Sequence, residues 1–346
     1  MSIELLGFTK SLAAGQDLGR ADIARLFDAL IAESDEQVIV DVLRLWNAKG
    51  HTAEELHALA EIVRKQSFAV NSKHKTFVDI VGTGGSKTKG FNVSTAAAFV
   101  IAGAGLPVAK HGNRAASSKS GSADVLSELG VNFVGNPLLA EKSLREIGVC
   151  FMFAPNHLRL SQTLANARRN LGLPTIFNNL GPLCNPAKAP FQIVGVWDER
   201  LVELTASALS RLGTTHSWIV HGSDGLDEIT LSGKTLVGSV RGGEINMFEI
   251  TPEDFGIEAR SLNGFAGATP GESAVIIRSI LDGSCKNSEA VDLVKLNAAA
   301  ALYVADFANT LPEAFNLAAK SLESGSASAK LRQLKALTNE SNGGRL

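Results

Sequence analysis

The stretch DIVGTGGSKTKGFNVST, residues 79–95, sets a glycine cluster between an apolar run and a helix-like segment. Glycine lets backbone N–H groups close around an oxyanion with no Cβ in the way. A Walker A nucleotide loop needs glycine directly before Lys-Ser/Thr, and here Ser86 precedes Lys87-Thr88. A dinucleotide fingerprint G-x-G-x-x-G begun at Gly82 needs glycine at position 87, where lysine stands. What remains is a strand-to-helix turn with Ser94 and Thr95 at the helix start. Backbone donors and the helix dipole there favour an anion; a plain tight turn with an N-cap is the alternative.

Three more groups have chemical potential. Lys110, His111, Asn113, Arg114 and Lys119 stand among small hydroxyl residues just after a predicted strand. Cations and short donors around glycine suit a phosphorylated sugar, and the C-terminal end of a strand is where α/β sheets bind ligands. Arg168 and Arg169 end a predicted helix before an apolar stretch, 171–187, that reads as a loop shaped by Gly and Pro. An arginine there either grips a carboxylate bidentately or caps its helix. Asp224, Asp227 and Glu228 follow the run SWIV on a loop. They are hard oxygen ligands suited to Mg²⁺ shared with a substrate phosphate, or else solvated turn acids.

The elements that must position these groups change character near residue 70. Before it the pattern is helical, with start signals at Ser34 with Gln37 and at Thr52 with Glu55. After it, β-branched runs alternate with helices: strands are expected in TFVDIVG, PVAK, CFMFA, FQIVGVW and SWIVHG, then in TLVGSV and EINMFEI joined by RGGE. Helices return in ESAVIIRSILDG, in SEAVDLVKLNAAAALYVAD and in one last segment. This predicts an α/β fold: a small N-terminal helical domain, residues 1–70, joined by helices from about 158–180, and a larger domain, 71–346, around a central mixed, mainly parallel sheet.

With 346 residues and 45% hydrophobic content the chain can bury a sizeable core. Its 33 basic against 35 acidic residues give no field for nucleic acid or anionic membrane. Cys150, Cys184 and Cys285 have no CxxC spacing, which fits a reducing, cytoplasmic setting; no signal peptide is evident, and the most apolar stretch is too short to span a bilayer.

Taken together, DIVGTGG, FNVSTAAAF, AKHGNRAASSKSGSADVL, LGLPTIFNNLGPLCNPA and HGSDGLDEIT closely resemble the anthranilate phosphoribosyltransferases of tryptophan biosynthesis, in order and spacing, over nearly the whole chain. The resemblance implies a phosphorylase/phosphoribosyltransferase-like fold, and attack of the anthranilate amino group on C1 of phosphoribosyl pyrophosphate (PRPP) with loss of pyrophosphate. It implies a PRPP site of Gly82, Gly85, Ser86, Gly90, Asn92, Val93, Ser94, Thr95, Lys110, His111, Gly112, Asn113, Arg114, Ala115, Ala116, Ser117, Ser118 and Ser122. It places anthranilate at Gly82, Asn113 and Arg168, and Mg²⁺ at Ser94, Asp227 and Glu228. No covalent or acid/base side chain is implied, and a homodimer through the helical domain is.

The chain departs from the family pattern in two places. The glycine loop usually reads G-T-G-G-D-G, whereas Ser86-Lys87 stands here and Gly90 replaces a common Thr or Ser. After FAP a His-Pro pair is usual, and here it is Leu158-Arg159, with His157 one position earlier. The phosphoribosyl side is nearly whole, so the altered acceptor side leaves transfer to a different aromatic amine as one alternative; a second, of a different class, is a non-catalytic paralogue that keeps the fold and binds nucleic acid.

Overall fold

The computed structural model describes residues 3–86, 90–115, 120–134, 136–158, 160–262 and 267–340. Four helices open the chain: α1 (Ile3–Ala13), α2 (Arg20–Ala32), α3 (Glu36–Lys49) and α4 (Ala53–Gln66). Each turns one apolar stripe inward; α2 buries Ile23, Leu26, Phe27 and Leu30. The capping box expected at Thr52 forms, with Glu55 N donating to Thr52 Oγ1 at 3.1 Å and Thr52 N to Glu55 Oε2 at 3.0 Å. The start expected at Ser34 lies one residue on: Asp35 is the cap and accepts from Gln37 N at 2.9 Å. A carboxylate beside the first turn is a stronger acceptor than a hydroxyl one residue further out.

Seven strands follow: β1 (Val78–Gly82), β2 (Val108–Gly112), β3 (Val149–Phe153), β4 (Phe191–Gly195), β5 (His216–Gly222), β6 (Thr235–Arg241) and β7 (Glu244–Ile250). They form one sheet in the order β3-β2-β1-β4-β5-β6-β7. The pairs among the first five are parallel and the last two antiparallel, the mixed sheet that strand and helix alternation predicts. Strands β3 and β4 are buried along their whole length because helices cover both faces. The RGGE turn is a tight hairpin whose Gly242 and Gly243 both take positive φ, 60° and 91°.

The remaining helices are α5 (Val93–Gly103), α6 (Ser122–Glu128), α7 (Leu138–Ile147), α8 (Ala154–His157), α9 (Gln162–Leu171), α10 (Ile176–Leu183), α11 (Leu201–Arg211), α12 (Pro270–Asp282), α13 (Ser288–Val304), α14 (Leu311–Glu323) and α15 (Ser326–Glu340). Helix α5 is apolar all round and accordingly buried all round. One large core lies between α5, α13 and one side of the sheet; the other joins α1–α4 to α9–α11 and the opposite side.

Three differences from the sequence reading have physical causes. Residues 176–183, read as part of a loop, form α10, with Pro182 in its last turn. The carbonyls that its C-terminus leaves open are taken by side chains from elsewhere: Gly181 O by His111 at 3.1 Å, Pro182 O by Gln192 at 3.2 Å and Leu183 O by Arg64 at 2.5 Å. The single last helix is two, α14 and α15, broken at Gly325 with φ 72°. Helix α7, not anticipated, buries Ala140, Ser143, Leu144 and Ile147 at helical spacing.

Helix α9 packs on α3 and α2, and α10 on α4. Among the described residues no helix is long and apolar enough to cross a membrane.

Candidate active site

The chain runs outward from β1 through β2 to β3, then returns to the other side of β1 for β4 and β5. The C-terminal ends of β1 and β4 therefore flank the point where the order reverses, the usual crevice of an open α/β sheet. Gly82 and Gly195 sit side by side there. Both face Asp227: a Cβ on Gly82 would stand 2.7 Å from Asp227 Oδ2, and one on Gly195 1.7 Å from the Asp227 backbone oxygen. Two strand-end glycines thus let the acidic loop after β5 lie directly on the switch point.

That loop is tied down at several points. Asp227 Oδ2 accepts from Gly84 N at 3.1 Å, and Ser86 Oγ donates to Gly225 O at 2.8 Å. Asp224 accepts from Thr230 Oγ1 (2.5 Å), Ser232 Oγ (2.7 Å) and Leu226 N (3.2 Å), so it shapes the loop. Glu228 Oε1 accepts from Ser94 N at the start of α5, 3.4 Å away. Asp227 and Glu228 are 1% and 4% exposed. Among the described residues no group of three or more His, Cys, Asp or Glu could hold a metal ion. Two adjacent buried carboxylates instead suit a cation that fills its other positions with water and ligand phosphate, which is Mg²⁺ chemistry. Ser94 Oγ accepts from Lys110 Nζ at 3.3 Å, so the acids carry the charge of the expected metal set.

Beside this end lies a cavity of about 440 Å³. Gly82, Asn92, Ser94, His111, Gly112, Asn113, Arg114, Ala115 and Ser122 all line it. Asn92 is held by Ser120 Oγ (2.9 Å) and Ser273 Oγ (3.0 Å), both donating to its Oδ1. The turn after β2 closes on Asp124, which accepts from Ala115 N (2.9 Å), Gly121 N (3.1 Å) and Arg114 Nη1 (2.9 Å).

The other wall comes from α9 and α10. Ser161, Gln162, Ala165 and Arg168 contribute one face of α9, and Phe177, Asn178, Leu180, Gly181 and Pro182 come from α10. The Arg168 guanidinium lies over the Phe177 ring, 5.4 Å from its centroid, and its Nε is buried without a partner among the described residues. Burial holds its pKa down to about 10, so it stays charged. A buried, unpaired cation is costly unless a ligand completes it. His111 gives its Nδ1 to Gly181 O, which can only accept; that nitrogen therefore carries the proton and Nε2 is bare. Burial pushes its pKa down to about 3, so the ring is a neutral acceptor.

The expected site thus largely converges. Val93, Thr95 and Lys110 are buried behind the cavity, and Lys110 Nζ donates to Ile80 O at 2.5 Å. Gly85 lies against Trp197 and Pro174, and Gly90 borders a separate cavity with Asp224 and Glu228. Ala116, Ser117 and Ser118, with Lys87, Lys119 and Arg159, fall outside the described residues. His157 does not line the main cavity; its Nδ1 meets Phe68 O at 3.1 Å, which ties α8 to the strand-entry segment. Apart from Arg168, sequence reasoning missed the α9 and α10 lining. The 161-162-165-168 spacing was a usable helical signal, whereas α10 was hidden by its Gly-Pro end.

A glycine-lined crevice at a sheet switch point, paired acids, and a cavity ending on a half-buried cation define a glycosyl-transferring enzyme that handles a sugar phosphate. A family model described as "Glycosyl transferase family, a/b domain" matches residues 74–328. Relatives named anthranilate phosphoribosyltransferase are 44% identical in Rhodopseudomonas palustris, over 95% of this chain and 96% of that protein, and 42% identical in Moorella thermoacetica, over 94% and 96%. The crystal structure of anthranilate phosphoribosyltransferase from Thermus thermophilus superposes with TM-score 0.86 at 35% identity, covering 96% of this chain and 99% of that one. The Saccharomyces cerevisiae enzyme in complex with PRPP and Mg gives 0.88 at 29% identity, over 98% and 99%. The chain belongs to the anthranilate phosphoribosyltransferase family.

Proposed function

We propose that this protein transfers the phosphoribosyl group of PRPP to the amino nitrogen of anthranilate, releasing pyrophosphate, as a step of tryptophan biosynthesis. The observation that carries the acceptor is Arg168: a half-buried side chain in the wall of the cavity, its guanidinium stacked on Phe177 and its Nε buried without a partner among the described residues. A planar aromatic carboxylate meets both the cation and the ring. Leu158, Leu160 and Leu180 give the ring an apolar bed, and the bare Nε2 of His111 can accept an amine N–H.

At the other end, the N-terminus of α5 with Ser94, and the backbone of Gly82 to Ser86, receive the phosphates. Asp227 and Glu228 would hold Mg²⁺, whose charge neutralises the departing pyrophosphate as the C1–O bond breaks. The chain's own part is positioning: the amine is held against C1, the C1–N bond forms, and a proton leaves the nitrogen. The cavity walls keep out water that would otherwise hydrolyse the sugar. The same reading takes residues 1–70 with 158–180 as one body closing on the rest, and a homodimer through α1, where Ile3 and Leu6 are exposed. It places the enzyme in the cytoplasm, with Cys150, Cys184 and Cys285 free.

Steady-state assays of the purified protein with PRPP, Mg²⁺ and a panel of aromatic amines test this reading. Anthranilate is expected to react with the highest kcat/KM. An inert anthranilate beside a reactive second amine would overturn the acceptor, and salt-sensitive DNA binding without pyrophosphate release would overturn the reaction.

A further inference from the structure

We infer that Asp79 is a positioning residue that couples the two ends of the cavity: from β1 it holds both the strand end carrying His111–Ala115 and, through Asn185, the end of α10 that forms the acceptor wall. Its kinetic arm rests on the proposed reaction.

Asp79 is fully buried. Its Oδ1 accepts from His111 N at 3.1 Å, and its Oδ2 from Asn185 Nδ2 at 2.7 Å. The same amide nitrogen donates to Ala109 O at 2.9 Å, while Asn185 Oδ1 accepts from Ala187 N at 2.9 Å. The His111 ring in turn donates to Gly181 O. These bonds close a loop from β1 to β2, across to α10, and back through Asn185.

The direction of each bond in this loop is determined. A backbone N–H only donates, and the Asn185 oxygen is already committed to Ala187, so Asn185 must turn its N–H towards Asp79. Position 79 therefore has to present two acceptors at once. A carboxylate does so; an amide would set its own NH₂ against one of the two donors. His111, one link away, lines the cavity, as do Gly181 and Pro182.

An ionised group at this depth is costly, and the surroundings show the balance. Burial pushes the Asp79 carboxyl up to about 6, opposed by Lys110, Asn185 and the His111 N–H. The charged and titratable groups facing it are Lys110 on β2 and, on β3, the Cys150 thiol, itself pushed up by burial and by Asp79; Gln192 lies opposite it on β4 and is neutral. The acceptor pair is thus complete near neutral pH and is lost as the carboxyl takes a proton.

The test combines Asp79→Asn and Asn185→Ala with wild type. Wild-type kcat should fall on the acid side with an apparent midpoint near 6. Asp79→Asn should lower kcat about tenfold or more, the loss expected for one misdirected bond to a charged group, and should remove that limb. Asn185→Ala deletes one donor to the carboxylate and should move the limb to higher pH by about one unit. The 5′-phosphate of the substrate also titrates in this range; its contribution does not move with Asn185, so the displacement is specific.

A readout without turnover separates this inference from the reaction. The folded state holds the Asp79 proton more tightly than the unfolded chain, whose carboxyl has a pKa of 3.8. The stability of wild type relative to Asp79→Asn should therefore decline as pH rises from about 4 to about 6. A flat difference, or a limb unmoved in Asn185→Ala, overturns the role of Asp79. Absence of transfer by wild type with the stability trend present overturns the reaction and leaves the ionisation of Asp79 standing.

Discussion

Gly195 lies so close to Asp227 that a Cβ on the glycine would stand 1.7 Å from the aspartate's backbone oxygen. The contact joins the end of β4 to the acidic loop by backbone alone, so the loop cannot keep its place if residue 195 gains a side chain. In Gly195→Ala the loop must lift. Overpacking of this kind costs about 1–3 kcal/mol, and the KM for PRPP at fixed Mg²⁺ should rise tenfold or more. Equilibrium unfolding and steady-state kinetics on the same preparation check both parts; an unchanged KM would mean that the loop is free to shift.

Arg168 separates binding from stability. Its side chain is half-buried and its Nε is buried and unpartnered among the described residues, so Arg168→Ala relieves a partly desolvated charge while deleting the carboxylate contact. The KM for anthranilate should rise about 10- to 100-fold, the worth of a charge-assisted bond of about 1.5–3 kcal/mol. The KM for PRPP should change less than about threefold, and the unfolding midpoint should hold or increase.

Asp227→Asn and Glu228→Gln each remove one negative charge from the proposed Mg²⁺ pair. Both should shift the Mg²⁺ activation curve to higher concentration and lower kcat about a hundredfold, since the pair acts on charge that develops only as pyrophosphate leaves. Chelator should abolish turnover in wild type and added Mg²⁺ restore it. Activity indifferent to chelator would remove the metal from the mechanism.

His51 predicts an acid sensitivity in the helical part. Burial lowers its pKa from 6.5 to about 4. The unfolded chain therefore takes the proton first, and stability present above pH 6.5 is lost as pH falls towards 4. In His51→Gln the loss of stability between pH 7 and pH 4 should shrink by roughly 2–3 kcal/mol. Urea melts at three pH values measure it. His111, His157 and His216 are lowered too and act in the same direction, so part of the slope will remain.

Much of this was readable from residue order. The alternation of β-branched runs with helices predicted the mixed sheet because the central strands are buried and so lose their polar positions, whereas the exposed edge strand β7 keeps Glu244, Asn246 and Glu249. Gly82, Ser94, Asn113, Arg168, Asp227 and Glu228 were singled out by residue type and by resemblance to the family, and the first four line the main cavity. What was not readable depends on partners distant in sequence. Helix α10 ends in Gly181-Pro182, a local stop signal, and its carbonyls are rescued by His111, Gln192 and Arg64. Asp79 looked like one more strand residue until Asn185 was seen to face it. His157 stands one position before the usual His-Pro pair, and its place against Phe68 O is a packing outcome that no local pattern carries.

The two helices that wall the acceptor side take their bearings from different places. Through α10 the wall is pinned to β1, β2 and β4 and also to α4 by Arg64, whereas α9, with Arg168, rests on α2 and α3 alone among the N-terminal helices, where Glu36 accepts from Asn166 and Asn170. The grip on the aromatic acid therefore works like a vice with one jaw bolted to the bench and the other mounted on the N-terminal helices. Random substitutions among the first fifty residues, remote from any ligand, should be recorded by the enzyme chiefly as changes in how firmly that second jaw holds.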